Sequence, residues 1–284
     1  MKGVEIPDSR HSSREAGIYP VAEWRLIYSP AADGPTNMAV DEAILHTVGS
    51  RESGPTLRLY RWEPPCLSLG RGQPIQDVDR RALKAAGYGL VRRPTGGRAL
   101  LHIDELTYSI IVSEDDPRVG GGVVESYRRL SAGLVRGLER LGVTDIVADE
   151  RVEDRGGEGA VCFEVPSHYE ITVGGKKLVG SAQMRARGVV LQHGAIPLYG
   201  DIARICPLIT DLPDAARVRA RATTVERALG RRVGWEEAAD ALAAGLAEAL
   251  RLRPKLDQMT AGESAAARGL RAGKYTAEAW TTVV

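Results

Sequence analysis

The segment from Tyr169 to Tyr199 limits the possible folds of this chain more than any other part, because it consists of extended stretches in direct succession. Glycines interrupt it at Gly174-Gly175 and again at Gly188, as is typical of tight turns between strands. Consecutive strands joined by such turns pair antiparallel. The sequence therefore predicts a three-stranded antiparallel meander in this region.

Apolar residues at three- and four-residue spacing predict a long amphipathic helix from Val124 to Leu141, which ends at Gly142. A shorter helix is expected from Asn37 to about Val48, with Asp41 and Glu42 toward its start, where the helix dipole favours acidic residues. Further elements are expected as strands at Trp24 to Tyr28, Leu57 to Trp62 and Cys66 to Leu69, and as helices at Val218 to Leu229 and Trp235 to Leu252.

Strands that alternate with helices, then an antiparallel meander, then helices, indicate an α+β or mixed α/β fold rather than a doubly wound sheet. The expected division is a flexible N-terminal tail at residues 1–22, a main domain at 23–212 and a helical C-terminal subdomain at 213–284.

Composition excludes several classes of protein. Thirty-eight basic and 37 acidic residues leave a formal net charge of +1, so no global field favours nucleic acid or membrane binding. Cys66, Cys162 and Cys206 are widely spaced and lack a CxxC pattern, which predicts neither a disulfide framework nor a metal site and is typical of a reducing cytoplasm. No secretion signal is expected in the first twenty residues, and no apolar run reaches the roughly 18 residues of a membrane span.

The segment from Arg92 to Ala99, RRPTGGRA, places adjacent glycines among three arginines after an expected strand. Glycine lets a backbone approach a ligand closely, and arginine supplies planar hydrogen-bond donors. A tight turn on a basic surface explains these residue types equally well. The pattern is neither a Walker loop nor a dinucleotide fingerprint.

The longer string from Arg92 to Ile110, RRPTGGRALLHIDELTYSI, resembles the signature of the biotin and lipoate protein ligase superfamily. Its Gly-Gly-Arg, and the Glu-Leu-Thr-Tyr-Ser that follows His102, are similar to the octanoyltransferase branch of the LipM type rather than to free-lipoate ligases. Further matches extend from about Trp24 to Trp280. The resemblance implies a ligase-type α/β catalytic domain for residues 23–212.

In that branch the cysteine of the Cys162-Phe163 motif is the nucleophile, and its lysine partner lies fifteen positions on, which is Lys177 here. Without the resemblance, Cys162 is more simply a small buried core residue, and Lys177 a surface lysine. Strict alternation along the strand would put Lys177 on one polar, site-facing side with Ser181 and Gln183. Lys176 would then be solvated at the turn.

The resemblance implies that an octanoyl group passes from an acyl carrier protein to Cys162, without ATP, metal or cofactor. It then passes to a lysine of a lipoyl-accepting protein, which is a glycine cleavage H protein or a lipoyl domain. The enzyme is expected to be a monomer. His102 and His193 are equally well explained as structural histidines. The substrate-binding candidates are Arg92, Thr95, Gly96, Gly97, Arg98, His102, Ser181 and Gln183.

Three rival functions are compatible with the same fold. An ATP-dependent lipoate ligase would leave Cys162 incidental, and the Gly-Gly-Arg motif argues against it. An amidotransferase that takes the acyl group from an already modified protein would use the same cysteine and lysine. A non-catalytic lipoate or acyl-protein binding module is disfavoured, because a binder would not need both Cys162 and Lys177.

Overall fold

Within the described residues, an eight-stranded mixed sheet forms the centre of the molecule, and a three-stranded sheet lies beside it. The computed structural model describes residues 19–150 and 169–284. The strands are β1 (Ala22–Tyr28), β2 (Thr56–Tyr60), β3 (Cys66–Leu69), β4 (Gly89–Arg92), β5 (Leu100–His102), β6 (Glu105–Ser113), β7 (Ile146–Glu150), β8 (Tyr169–Val173), β9 (Lys176–Ala186), β10 (Val189–Pro197) and β11 (Leu252–Leu256).

Helices of different lengths pack around the two sheets. They are α1 (Gly34–Gly49), α2 (Arg80–Ala85), α3 (Val123–Arg140), α4 (Ala215–Arg221), α5 (Val225–Leu229), α6 (Trp235–Ala249), α7 (Ala261–Leu270) and α8 (Glu278–Thr281). Short 3₁₀ segments occupy Ile75–Asp77 and Ile202–Leu208, and a π-helical turn occupies Arg271–Tyr275. No helix in the described ranges has the length and apolar character needed to cross a membrane.

Strand order in the large sheet is β11-β1-β2-β6-β10-β9-β8-β7, and in the small sheet β4-β3-β5. β1 pairs in parallel with both β11 and β2, whereas the pairs from β2 through β6 to β7 are antiparallel. The α+β fold with a mixed sheet flanked by helices is therefore confirmed. The expected meander is β8, β9 and β10.

The two faces of the large sheet bury different helices, because successive side chains of a strand point to opposite sides. On one face, Leu130 and Leu134 of α3 pack in a core with Tyr108 and Ile110 of β6. α6 crosses α3 there at close range, since a Cβ atom on Gly245 would lie 2.1 Å from the backbone nitrogen of Gly137. The opposite face is covered by α1 and α7. Met38, Ile44, Ile111, Leu191 and Ala267 meet in a second core there.

α1 begins earlier than the sequence predicted. Asp33 caps it by accepting a hydrogen bond from the Thr36 N–H, with Pro35 in the first turn. Asp41 therefore lies in the middle of the helix, and the expectation that it serves the helix dipole is wrong. Its carboxylate is fully buried and contacts Arg58 instead.

The C-terminal part is less uniformly helical than its alanine-rich composition suggests. The expected helix from Val218 to Leu229 is divided into α4 and α5 at residues 222–224, and the residues after α6 form β11, which pairs with β1. At the other end, Tyr19 is buried and β1 begins at Ala22, while residues 1–18 of the expected tail lie outside the described residues. The three-part division of the chain stays a prediction.

Candidate active site

A cavity of about 430 Å³, its open mouth included, lies between the small sheet and the large sheet. α1, the loop after β4, and strands β3, β5, β6, β9 and β10 all contribute to its wall. Much of the lining is apolar or aromatic, which suits a hydrocarbon chain. The lining residues are Met38, Tyr60, Trp62, Ser68, Arg93, Gly97, Leu100, His102, Thr107, Gly180, Ser181, Ala182, His193, Gly194 and Ala195.

Arg93 holds the glycine loop against the cavity. Its buried guanidinium donates to the backbone carbonyls of Gly96 and Arg98 at 2.8 Å, and to both the carbonyl and the hydroxyl of Ser68. Gly97 has φ +93°, a conformation that side chains with a Cβ atom rarely adopt. The loop is therefore a close approach of backbone to Arg93 and the cavity, rather than a turn remote from it.

His102 belongs to a buried polar chain at the wall of the cavity. Its Nδ1 lies 2.6 Å from Glu105 Oε1, and its Nε2 lies 2.7 Å from the Ser68 hydroxyl. The ring stacks on Trp62 with centroids 3.8 Å apart. A carboxylate at Nδ1 selects the tautomer that carries its proton there, so Nε2 accepts from Ser68. These polar atoms already have hydrogen-bond partners within the protein, so an apolar ligand would leave few of them unpaired.

His193 forms a second carboxylate–imidazole–hydroxyl chain on the same cavity. Its Nε2 lies 2.6 Å from the Thr95 hydroxyl, and its Nδ1 lies 3.5 Å from Asp41. Burial lowers the pKa of His193 and so favours a neutral ring. Asp41 acts in the opposite direction, but its effect is smaller. Burial alone would raise the pKa of Asp41, but Arg58, 2.7 Å away, and His193 hold it below its usual value.

Lys177 is buried near one end of β9, and its ammonium lies 3.0 Å from the carboxylate of Glu170 on β8. A β-bulge interrupts the pairing of these strands, because Thr172 pairs with Lys177 whereas Ile171 pairs with Val179. Strict alternation therefore stops at the extra residue, Leu178. The parity argument that put Lys177 on the face of Ser181 and Gln183 was wrong for this reason, although its selection of the more buried lysine agrees with the structure.

Ser181 and Gln183 do share a face. The Ser181 hydroxyl lies 2.7 Å from the Tyr108 hydroxyl, and Gln183 bonds to Ser126 of α3 and to Gln192. Ser181 also lines the cavity, whereas Gln183 lies against α3, outside the lining. Gly180 and Ala182, expected on a core face, line the cavity as well.

Arg92 supports the loop from outside the cavity. It is buried, and its guanidinium donates to the backbone carbonyls of Gly70, Gln73 and Thr281. The expected site residues therefore fall into three groups. Gly97, His102 and Ser181 line the cavity, and Thr95 bonds to the lining residue His193. The remaining candidates are not among the lining residues: Arg92, Gly96, Arg98, Lys177 and Gln183. Cys162 lies outside the described residues.

Sequence reasoning did not select several polar residues of this site. Three of them lie inside or beside the motifs described above: Arg93, Ser68 and Glu105. His102 ends β5 and Glu105 begins β6, so the short turn between these strands brings the two side chains together. No sequence pattern near Asp41 or Glu170 predicts that they are buried in ion pairs. Their partners, Arg58 and Lys177, come from other elements. Buried charge pairs of this kind depend on tertiary contacts.

Comparison with known proteins places these features in context. A family model described as the lipoyl protein ligase A/B catalytic domain matches residues 33–247. The octanoyltransferase LipM of Symbiobacterium thermophilum is 45% identical over 269 residues, which cover 90% of this chain and 97% of that protein. The octanoyltransferase LipM of Kyrpidia tusciae is 47% identical over 268 residues, with the same coverage of 90% and 97%.

Solved structures share the fold. A lipoate-protein ligase A bound with ATP superposes with a TM-score of 0.76 at 28% identity, over 92% of this chain and 98% of that one. A bipartite lipoate protein ligase from Thermoplasma acidophilum, described with its E2 lipoyl domain, gives a TM-score of 0.74 at 27% identity, over 92% and 96% of the two chains.

Proposed function

The chain belongs to the lipoyl protein ligase A/B catalytic domain family, and on that premise we propose that it is an octanoyltransferase of lipoate biosynthesis. The observation that carries the proposal is the match over about nine tenths of the chain to proteins named octanoyltransferase LipM. In the proposed reaction, an acyl carrier protein donates the octanoyl group to Cys162. A lysine of a lipoyl-accepting protein then receives it.

The cavity has the chemistry that such a substrate needs. Met38, Trp62, Leu100 and Ala195 offer apolar surface, while His102, Ser68 and Glu105 satisfy one another by hydrogen bonds. Burying the seven methyl and methylene carbons of an octanoyl chain, at about 0.8 kcal/mol each, would contribute roughly 5 kcal/mol before the costs of binding. The acyl chain alone can therefore supply a useful part of the affinity.

Two acyl transfers complete the proposed reaction. The Cys162 thiolate attacks the carbonyl carbon of the octanoyl thioester, a new C–S bond forms, and the carrier leaves as a thiolate. A neutral lysine amine of the acceptor then attacks the acyl-enzyme, its surplus proton moves to the departing Cys162 sulfur, and an amide results. Both steps pass through an oxyanion, for which Lys177 and the backbone N–H groups of residues 96–98 are the proposed donors.

We propose that the enzyme acts in the cytoplasm, because three widely spaced cysteines suit a reducing compartment. We also propose that it acts as a monomer. Arg71 is exposed and Arg98 half-buried beside the glycine loop, and both suit an acidic carrier protein at the mouth of the cavity. The acceptor lysine would enter from the same mouth.

The test is intact-protein mass spectrometry after mixing with octanoyl carrier protein, with and without ATP. We expect an octanoyl adduct without ATP that hydroxylamine removes, as a thioester requires. Cys162→Ser should abolish productive transfer, whereas Cys66→Ala and Cys206→Ala should not, because both of those thiols are buried packing residues. A strict ATP requirement, or full activity in Cys162→Ser, would instead identify an ATP-dependent ligase.

A further inference from the structure

A hydrogen bond joins the glycine loop, which runs from β4 to β5, to a histidine of the large sheet. The Thr95 hydroxyl lies 2.6 Å from Nε2 of His193, and both residues are at most 6% exposed. Building on the proposed octanoyl transfer, we infer that His193 is a positioning residue that fixes the backbone of this loop through Thr95. Thr95 is not among the residues that line the cavity, so it acts through the loop and not by contact with the acyl chain.

Two side chains hold the loop in different ways. Arg93 lies within the loop and donates to two of its carbonyls, and also to Ser68 of the small sheet. Thr95 is held through its carbonyl, which accepts from the Arg71 N–H at 2.8 Å, and through its hydroxyl, which donates to His193. Because His193 belongs to β10, this second bond ties the loop to the large sheet.

β10 gives His193 a rigid position. The strand pairs with β6 on one side and with β9 on the other, and His193 stands opposite Ser109 and Ala182 in the two registers. Its ring lines the cavity together with Gly194 and Ala195. A residue at such a central place in a sheet is less mobile than the residues of a loop, so the loop takes its position from the histidine.

Asp41 fixes the orientation of the ring. Its carboxylate lies 3.5 Å from Nδ1 of His193 and is itself held by three donors, which are Arg58 at 2.7 Å, Ser109 at 2.9 Å and the Tyr60 hydroxyl at 3.0 Å. A carboxylate at Nδ1 keeps the ring proton on that atom, so Nε2 is left to accept the hydrogen bond of the loop hydroxyl. Side chains of α1, β2 and β6 thereby contribute to the position of the loop.

The position of the loop matters for the proposed transfer, because the backbone N–H groups of residues 96–98 are the proposed donors to the oxyanion. Such donors act only at hydrogen-bond distance from the oxygen, and a displacement of about 1 Å can cost about a hundredfold in rate. Without the Thr95 hydroxyl, Nε2 of His193 becomes a buried acceptor that has lost its donor, and the loop loses this attachment to β10. Acyl-enzyme formation should then slow down.

A double-mutant cycle tests the coupling of the two residues. Thr95→Val removes the hydroxyl at nearly constant volume, and His193→Asn shortens the side chain so that its amide can reach Asp41 but not Thr95. We expect each single variant to form acyl-enzyme at least about tenfold more slowly than wild type, and the double variant to be at most about threefold slower than the slower single variant. Losses that multiply in the double variant would overturn the inference.

Two further variants restore the hydrogen bond or leave it untouched. Thr95→Ser keeps the hydroxyl and should recover at least about fivefold of the loss in Thr95→Val, whereas a rate equal to that of Thr95→Val would overturn the role of the hydroxyl. Thr210→Val is the matched control, because the exposed Thr210 lies outside the loop and its hydroxyl bonds to the carbonyl of Gln76 at 2.7 Å. This variant should keep the wild-type rate.

Amide hydrogen exchange separates a positioning role from a general loss of stability. In Thr95→Val without substrate, the amides of residues 95–99 should exchange at least about fivefold faster than in wild type, while those of α3 keep their rate. Equal acceleration in both segments, or an unchanged loop, would overturn the inference. Because this measurement needs no catalysis, its failure is distinct from failure of the proposed function, in which the wild-type enzyme would form no hydroxylamine-sensitive adduct.

Discussion

Gly97 lies directly against Arg93, so that a Cβ atom at position 97 would come within 2.8 Å of the Arg93 Nη2 atom. The same guanidinium bonds to the carbonyls on either side of this glycine, and to Ser68 beneath it. A side chain at position 97 would therefore disturb both the loop and the arginine that holds it. Gly96, one residue earlier, has no atom within 4 Å of the corresponding position.

The first prediction compares these two glycines. Gly97→Ala should slow acyl-enzyme formation at least about tenfold, because the +93° backbone angle and the contact with Arg93 both oppose a Cβ atom. The strained backbone alone should cost about 1–3 kcal/mol of stability. Gly96→Ala should remain near wild type. Thermal midpoint and acylation per folded molecule are measured on the same sample, and normal acylation in Gly97→Ala would show that the loop does not form the site.

Local patterns were enough to predict part of the regular elements. Apolar residues at three- and four-residue spacing predicted a helix from Val124 to Leu141, and α3 occupies Val123–Arg140. The spacing exists because one face of that helix packs on the large sheet. The glycines at 174, 175 and 188 have positive φ in the turns of the meander, as expected. Both signals come from residues close together in the chain.

Pairing between strands far apart in the chain could not be predicted from local sequence patterns. β11 pairs with β1 across more than two hundred residues, and its sequence LRPKL is too polar to suggest a strand. The bulge at Leu178 depends on the partner strand β8, so alternation along β9 could not reveal it. Asp41 was predicted near the start of its helix, but α1 begins at Gly34 after the N-cap Asp33. The spacing of apolar residues does not reveal where such a cap lies.

The second prediction concerns the adjacent lysines of β9. Lys177→Ala should lower the transfer rate at least about a hundredfold, or roughly 2.7 kcal/mol, because it removes the buried side chain proposed to stabilise the oxyanion. Lys176→Ala should change the rate little, since that side chain is exposed. Single-turnover transfer measures both. An equal loss at both positions would mean that burial does not distinguish the functional lysine.

The third prediction concerns the reactivity of the cysteines. Burial raises the pKa of the Cys66 thiol well above its ordinary value, and both Cys66 and Cys206 are at most 5% exposed. Because the thiolate is the reactive form, iodoacetamide at about pH 7.5 should label Cys162 in the native protein and leave the other two unlabelled until unfolding. Peptide mapping by mass spectrometry gives the labelled fraction at each position. Native labelling of Cys66 at the rate of Cys162 would contradict the assignment of a unique reactive thiol.

The last prediction concerns Glu263, which fixes α7 to β1 and α1. Its buried carboxylate accepts hydrogen bonds from Arg25 at 2.7 Å, Ser53 at 2.8 Å and the Thr260 N–H at 2.8 Å. Burial alone would raise the pKa of Glu263, but these donors lower it to about 2 from the ordinary value of 4.5.

A carboxylate whose pKa is lower in the folded state stabilises the fold above its unfolded pKa, and this stability is lost as the pH falls toward the folded value. Glu263 should therefore contribute roughly 2–3 kcal/mol near neutral pH, which disappears between about pH 4.5 and 2. Glu263→Gln should lower the unfolding free energy near neutral pH and flatten its decline in that acid range.

Glu278→Gln is the matched control, because Glu278 contacts Arg80 at the same distance of 2.7 Å with both side chains more than half exposed. An exposed pair of this kind is worth less than about 1 kcal/mol, so its loss should leave the acid profile of wild type intact. Urea unfolding at a series of pH values measures all three proteins. If the curves of wild type and Glu263→Gln run parallel through the acid range, then Glu263 does not titrate with a lowered pKa, and the attachment of α7 depends on packing rather than on this carboxylate.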